Sequence, residues 1–259
     1  TGTAAKTDGF IIGASFTCTG TFTVTSNSSV NRLLVVSGSI GTARTVTAAA
    51  VSLTDVDFKD IIGAGAAAPF TGTRLGNCLG NSGITFTVAA GTSNGGSGVN
   101  RYWVGGTQSW STTTAWSTTD GGASGASVPL PQDDVYFTSN SMGGNSKTVT
   151  VDMQRIGRNI DWTGTTGTSN IFTMRNGLNQ EFYGNWTLGG TIATSSTSGS
   201  GTLTACGRSS HTITSNGQTY YGPWEILAPG GTYTLQDGLI TILSQVRQMT
   251  FTRGTFNAN

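Results

Sequence analysis

Charge is what this sequence has least of. Lysine and arginine number 13 and aspartate and glutamate 12 among 259 residues, and the formal net charge is +1. Charged residues make up 10% of the chain, against about 25% in an ordinary soluble domain. So neutral a surface gives no electrostatic footprint for nucleic acid or an anionic membrane, and neither is expected as a partner. No run approaches the roughly 18 consecutive apolar residues of a membrane-spanning helix, so no membrane insertion is expected. The three cysteines, Cys18, Cys78 and Cys206, lie far apart without CxxC spacing. That argues against a zinc site and allows at most one disulfide; three small buried hydrophobes are expected instead. Neither a GxxxxGK[ST] loop nor a GxGxxG set ahead of a helix occurs, which excludes nucleotide chemistry. The single histidine, His211, has no serine or cysteine partner at a spacing that recommends a triad and receives no role.

Helix-forming surface residues are also scarce, and few stretches carry a 3.6-residue apolar period. What remains is a strand-forming chain. Glycine contributes 39 residues and threonine and serine much of the rest, so solubility rests on hydroxyls and amides. With 36% hydrophobic residues, 11 Phe and 6 Trp, the chain reads as folded rather than as a flexible linker. In "SFTCTGTFTVTS", Phe16, Cys18, Phe22 and Val24 alternate with threonine, placing one face inward and a hydroxyl-rich face outward. Farther on, Val51, Leu53, Phe58, Ile84 and Phe86 form an apolar series punctuated by Asn77, Gly80 and Asn81, residues that tolerate left-handed turns.

The second half repeats an apolar-Thr-apolar core: Phe172 and Met174, Trp186 and Leu188, Leu203 and Ala205, Tyr233 and Leu235, Ile240 and Ile242, Met249 and Phe251. Separations of roughly 7 to 17 residues suit single faces of solenoid coils rather than whole repeats. The expected fold is all-β, with parallel β-helix or β-solenoid stacks joined by an aromatic, loop-rich junction; a sandwich is the alternative. Three modules are expected: a β-helix-like module over 1–100, a Trp-rich junction over 101–160, and a solenoid over 161–259 that continues beyond Asn259.

The stretches "YWVGGTQSWSTTTAWS" and "VPLPQDDVYF" resemble a W-x-G-G-x-G-x-W, W, P, D-D-V-x-F pattern. It occurs in large β-rich surface proteins of bacteria and in virion proteins of tailed phages. Gln108 departs from it, standing where glycine is common. The later "HTITSNGQTYYGPWEILAPGGTYTLQDGL", followed by "GTFNAN", resembles the β-solenoid repeats that often follow this pattern. The segment "LTDVDFKDIIGAGAAAPFTGTRLGNCLGNSGITF" looks like a phage-type parallel β-helix. The resemblance implies a structural and adhesive part of a tailed-phage particle, a tail fibre, spike or surface fibre. It would sit at the virion surface as a homotrimer among other virion proteins and contact host surface polysaccharide. The alternatives are a secreted bacterial adhesin or autotransporter passenger, and a β-helical glycan depolymerase.

No catalytic residue, metal ligand or cofactor is assigned. Trp103, Trp110 and Trp116, with Asp133 and Asp134, carry two readings. As a structural device the indoles cover one end of a β stack while "PLPQDD" makes a rigid turn. As a binding platform the same indoles stack on sugar rings and the aspartates read hydroxyls. Buried aromatic anchors are the default, which favours the structural reading. Asp55, Asp57 and Asp60 are the densest carboxylate cluster. On a strand, Asp55 and Asp57 would share a face at roughly 7 Å, compatible with an acid–base pair or a calcium site. With Lys59 beside them, a solvated face is the preferred reading. Glu181 and Glu225, the two glutamates, are isolated in sequence.

Overall fold

Alternation of threonine with Val, Ile, Leu and Phe suits a pleated, half-buried surface, and it produces strands almost throughout. The computed structural model describes residues 8–86, 98–174, 179–189, 192–195, 201–220, 222–238, 240–241 and 249–258. Among the described residues the chain is all-β; the one helical turn is a 3-10 turn at Thr113–Ala115. Two compact units form, one of 1–99 with Leu130–Gln132 and one of 100–129 with 133–259. The stretch 101–160, expected as a junction module, therefore belongs to the second unit except for Leu130–Gln132.

The first unit contains β1 (Asp8–Ile12), β2 (Phe16–Thr25), β3 (Leu33–Ser37), β4 (Arg44–Thr54), β5 (Val56–Lys59), β6 (Ile61–Ala64) and β7 (Gly76–Asn77). They make two parallel sheets ordered β1-β3-β5-β7 and β2-β4-β6. Each strand thus lies beside the second strand after it. Phe10, Val35 and Phe58 line up across three strands, and the core gathers Phe22, Val35, Val46, Leu53, Phe58, Ile61 and Phe70. Of the expected apolar series, Leu53, Phe58 and Phe86 are buried, and Val51 and Ile84 pack partly buried against them. Between Cys18 and Thr21 the pairing of β2 with β4 shifts register, a bulge that bends both strands. Asn77, expected at a turn, lies in β7, whereas Gly80 takes the left-handed conformation (φ +74°).

The second unit opens with β8 (Asn100–Trp103), β9 (Gln108–Ser109) and β10 (Trp116–Ser117). Next come β11 (Asp134–Tyr136), β12 (Thr148–Val151) and β13 (Arg155–Gly157), then β14 (Ile160–Asp161), β15 (Asn170–Met174) and β16 (Asn179–Phe182). A further trio is β17 (Trp186–Thr187), β18 (Ile192–Ser195) and β19 (Thr202–Ala205). The last strands are β20 (Ser210–Thr214), β21 (Thr219–Tyr220), β22 (Trp224–Leu235), β23 (Ile240–Thr241) and β24 (Met249–Ala258).

Pairing here follows a rule of three. β8, β11, β14, β17 and β20 form one parallel series, β9, β12, β15 and β18 a second, and β13, β16, β19 and β22 a third. Ile160 stands opposite Trp186 and Trp186 opposite Ile213, steps of 26 and 27 residues. Stacking of like positions creates inward columns, and Val135, Ile160, Trp186, Ile213 and Leu235 are all buried. At β22 the rule changes. Its first half pairs with β19 and its second half with β20, after which β21 pairs with β23 and β22 with β24.

Eight residues of the expected apolar-Thr-apolar cores are buried: Phe172, Met174, Trp186, Leu188, Leu203, Ala205, Tyr233 and Leu235. Phe251 is not: it is 58% exposed on β24, which nothing covers among the described residues. Ile240 and Ile242 lie outside the residues whose side chains are described.

Candidate functional site

The aromatic stretch folds back on itself. Trp103 of β8 stands opposite Trp116 of β10 in the one antiparallel pairing among the described strands of this unit. Gly105 and Gly106 make the turn. A Cβ on Gly105 would lie 2.9 Å from that of Ala115, and Gly106 has φ +59°, so both positions require glycine. Gln108, at the position where the pattern has glycine, donates to the Gly105 carbonyl (3.2 Å) and accepts from the Thr114 hydroxyl (2.9 Å).

Trp103, Trp110 and Trp116 have no exposed surface. Trp116 meets Trp103 and Trp110 edge to face at centroid distances of 5.0 and 4.9 Å, and Phe137 stacks on Trp103 at 5.6 Å. Phe137 also stacks on Trp162 at 3.5 Å, and Trp186 and Trp224 carry the aromatic column onward. The Trp116 indole N–H donates to the Trp110 carbonyl at 2.8 Å. Those of Trp110, Trp162, Trp186 and Trp224 are buried without an oxygen or nitrogen partner. Each of these rings is in edge-to-face packing, where neighbouring π faces act as weak acceptors. A fully buried indole has no face for a sugar ring. The platform expectation for Trp103, Trp110 and Trp116 is corrected accordingly: in this fold they build core.

Asp133 and Asp134 are buried as well, at 2% and 3% exposure. Arg158 grips Asp134 through two bonds, Nε to Oδ1 at 2.8 Å and Nη2 to Oδ2 at 2.7 Å, and this contact raises the guanidinium pKa. Asn159 Nδ2 also donates to Asp134 Oδ1 (2.8 Å). The Asn159 side-chain oxygen then accepts from the Asn185 backbone N–H (2.8 Å), and that of Asn185 from the Thr212 N–H (2.9 Å). This row of side-chain acceptors ties β11, β14, β17 and β20 together at their leading ends. Asp134 is thereby a strand-stacking residue, not a reader of hydroxyls.

The outward-facing aromatic groups are the alternate residues. Because Trp103, Val135 and Phe137 point inward, Tyr102 and Tyr136 point outward. They stand opposite each other in register and stack at 5.3 Å with 23° between ring planes, both partly exposed. Asp161 and Thr187 continue the same row on β14 and β17. Asn100 Nδ2 donates to the Tyr102 hydroxyl at 3.3 Å. Burial raises the pKa of the Tyr136 hydroxyl, and the charge of Asp134 adds to the effect. The row offers ring surface, two phenol hydroxyls and a carboxylate on one face. That chemistry suits a polyhydroxylated ligand. Sequence reading passed over both tyrosines, although the alternation in "RYWV" and "DDVYF" marks them.

In the first unit, Asp55, Asp57 and Asp60 are 3%, 0% and 1% exposed, which removes the solvated-face reading. Nor do Asp55 and Asp57 share a strand face. Asp55 breaks the chain between β4 and β5 with φ +56°, and Asp60 follows β5 with φ +59°. Arg32, also buried, donates to Asp57 Oδ1 from Nε (2.9 Å) and Nη2 (2.5 Å) and lies 3.6 Å from Asp55 Oδ1. Arg74 binds both Asp55 oxygens at 2.5 and 2.7 Å, a contact that raises its pKa. Asp60 Oδ2 accepts from the Gly41 N–H (2.8 Å). A guanidinium thus occupies the space an acid–base pair or calcium ion would need. Among the described residues no group of three or more His, Cys, Asp or Glu is placed to hold a metal ion.

The two glutamates, far apart in sequence, share one row: Glu181 pairs with Thr204 and Thr204 with Glu225 across β16, β19 and β22. Two strand spacings put their backbones about 9.5 Å apart. The Tyr183 hydroxyl donates to Glu181, and the Thr252 hydroxyl to Glu225 at 2.7 Å. His211 lies against the Tyr233 ring and beside the Ser209 hydroxyl (3.0 Å), and burial lowers its pKa. No family model, curated protein or solved structure matches the chain.

Proposed function

We propose that the chain is a β-solenoid portion of a surface fibre, a structural and adhesive component of a tailed-phage particle that contacts host cell-surface glycans through the Tyr102–Tyr136 row. The observation carrying the solenoid reading is the parallel pairing at near-constant steps, 26 and 27 residues in one series and 23 and 22 in another. Three strands per step describe a coil whose inner columns are aromatic and aliphatic. Hydrogen bonds between coils make such a stack stiff, and a nearly uncharged Thr and Ser exterior suits varied salt and pH. The phage assignment rests on the resemblance of the "WVGGTQSW" and "DDVYF" stretches, and with it come a homotrimer and a place on the virion surface.

The adhesive part is tested by titrating the protein with bacterial surface polysaccharides. Tyr102→Ala and Tyr136→Ala are expected to weaken binding about tenfold each, since stacking of this kind contributes about 1 kcal/mol or somewhat more. Both rings are partly exposed, so the thermal midpoint should hardly move. Binding unchanged in both variants removes the tyrosine row from the reading; no binding by the parent chain removes adhesion altogether.

One observation favours a second reading, a glycan depolymerase: the Glu181–Thr204–Glu225 row. Its backbone spacing is compatible with the roughly 6.5–9.5 Å carboxyl separation of inverting glycosidases. Under this reading Glu181→Gln and Glu225→Gln each reduce release of new reducing ends from a capsule by at least about a hundredfold. Release that persists in both variants, or that the parent chain never produces, ends it.

A further inference from the structure

The large exposed hydrophobic residues are not scattered. Phe10, Ile11, Phe16 and Phe251, 48%, 69%, 36% and 58% exposed, all lie on the first two strands or the last one. Three of them occupy core columns by register: Phe10 continues Val35 and Phe58, Phe16 stands opposite Val46, and Phe251 stands opposite Ile226, and all four partners are buried. These rings are therefore exposed because nothing lies over them, not because their positions face outward. The strand edges are open in the same places: among the described residues β1 pairs only with β3, β2 only with β4, and β24 only with β22. Such edges carry unpaired N–H and C=O groups and are templates for another strand.

The two open ends are also built alike. At the start a short strand precedes a ten-residue strand, β1 then β2; at the finish two-residue β23 precedes ten-residue β24. Both long strands pair in parallel with a shift of register midway. Both carry the tripeptide Gly-Thr-Phe next to that shift, at 20–22 and at 254–256. Gly254, at φ +106°, has no room for a Cβ beside the Ala228 carbonyl. β22 precedes β24 as β2 precedes β4, so a strand added to the free edge of β24 meets the geometry that β2 presents.

We infer that the partner of the β24 edge is the β1–β2 edge of a second copy of this chain, stacked head to tail. This rests on the coil reading above. In the register that superposes the two Gly-Thr-Phe segments, Phe256 lies over Phe22, Phe251 over Cys18 and Met249 over Phe16, closing the core columns of both copies. The interface is heterologous, so it either closes a ring or grows as a chain of molecules.

The test uses the 259-residue chain in sedimentation velocity over a wide concentration range. The expected result is an average mass that climbs with concentration, in contrast to the fixed multiple of a closed trimer. Phe251→Lys puts a charge into the column on an already exposed side chain, so it should leave the thermal midpoint alone and move the association midpoint at least tenfold higher. A single mass at all concentrations, or a Phe251→Lys variant that associates like its parent, overturns the inference.

A second measurement fixes the register. With Phe251→Cys, mild oxidation by oxidised glutathione is expected to join position 251 of one copy to Cys18 of the next; Cys78 and Cys206 are buried and do not compete. Thr187→Cys with Thr214→Cys, opposite each other in β17 and β20, is the internal control and should close within one chain. If the control closes and the intermolecular bond does not form, stacking alone fails. If the control does not close, the coil reading fails with it.

Discussion

Replacing Arg32 with methionine is expected to destabilise the first unit by about 3–5 kcal/mol, the cost of leaving a buried charge without its partner. Arg32 has two carboxylates within 4 Å, and Asp57 has no exposed surface. The unit's reporter is far-UV circular dichroism, because all six tryptophans lie in the second unit. Urea should therefore remove part of the β signal at lower concentration while tryptophan fluorescence keeps its midpoint. The pH dependence has a definite sign. Without Arg32 the buried Asp57 carboxylate has a folded pKa above its unfolded value of about 3.9. A raised carboxyl costs nothing below the unfolded value and progressively more as pH climbs past it. The deficit relative to the parent should be smaller at pH 4 than at pH 7. Arg32→Met combined with Asp57→Leu should recover much of the loss, because an apolar pair of similar volume replaces the ion pair without stranding a charge. Equal deficits at both pH values and no recovery in the double variant would mean that Arg32 acts through packing alone.

Trp162→Ala should cost the second unit a comparable 3–5 kcal/mol. Trp162 is fully buried and joins two parts of the column: Phe137 stacks on it at 3.5 Å, Phe172 meets its edge at 4.9 Å, and Trp186 lies 6.4 Å away. Removing the ring leaves a cavity between strands that depend on their neighbours for a core, and in stacked repeats a weakened interface is felt on both sides. Here fluorescence should lose its midpoint while the first unit's share of the circular dichroism persists, the mirror image of the Arg32 variant. Trp162→Phe retains the stack on Phe137 and should keep most of the stability. A Trp162→Ala chain with an unchanged fluorescence midpoint would contradict the idea of one continuous aromatic column.

Much of the all-β character was legible from Thr-x-Thr alternation, because the pleat gives side chains a period of two whatever the partner strand is. The same alternation marked inward residues such as Phe172, Trp186 and Tyr233 correctly. It would also have marked Tyr102 and Tyr136 as outward, but attention went to the larger indoles beside them. The aspartates of "LTDVDFKDI" were harder. Arg32 and Arg74, which neutralise them, stand 25 residues before Asp57 and 19 after Asp55, and local patterning contains no signal that reaches so far.

By itself the sequence determined that the chain forms strands, that its surface is nearly uncharged, and that glycines and asparagines punctuate it. Those properties belong to residues and their immediate neighbours. Only the tertiary structure decided which strand lies beside which, and burial follows from that. Phe172 and Phe251 sit in the same kind of apolar-Thr-apolar core, yet one is sealed and the other is 58% exposed. Glu181 and Glu225 share a row although 44 positions separate them. Long-range parallel pairing brings such groups together, and the free energy of burying a side chain or a charge depends on what is stacked over it rather than on its place in the chain.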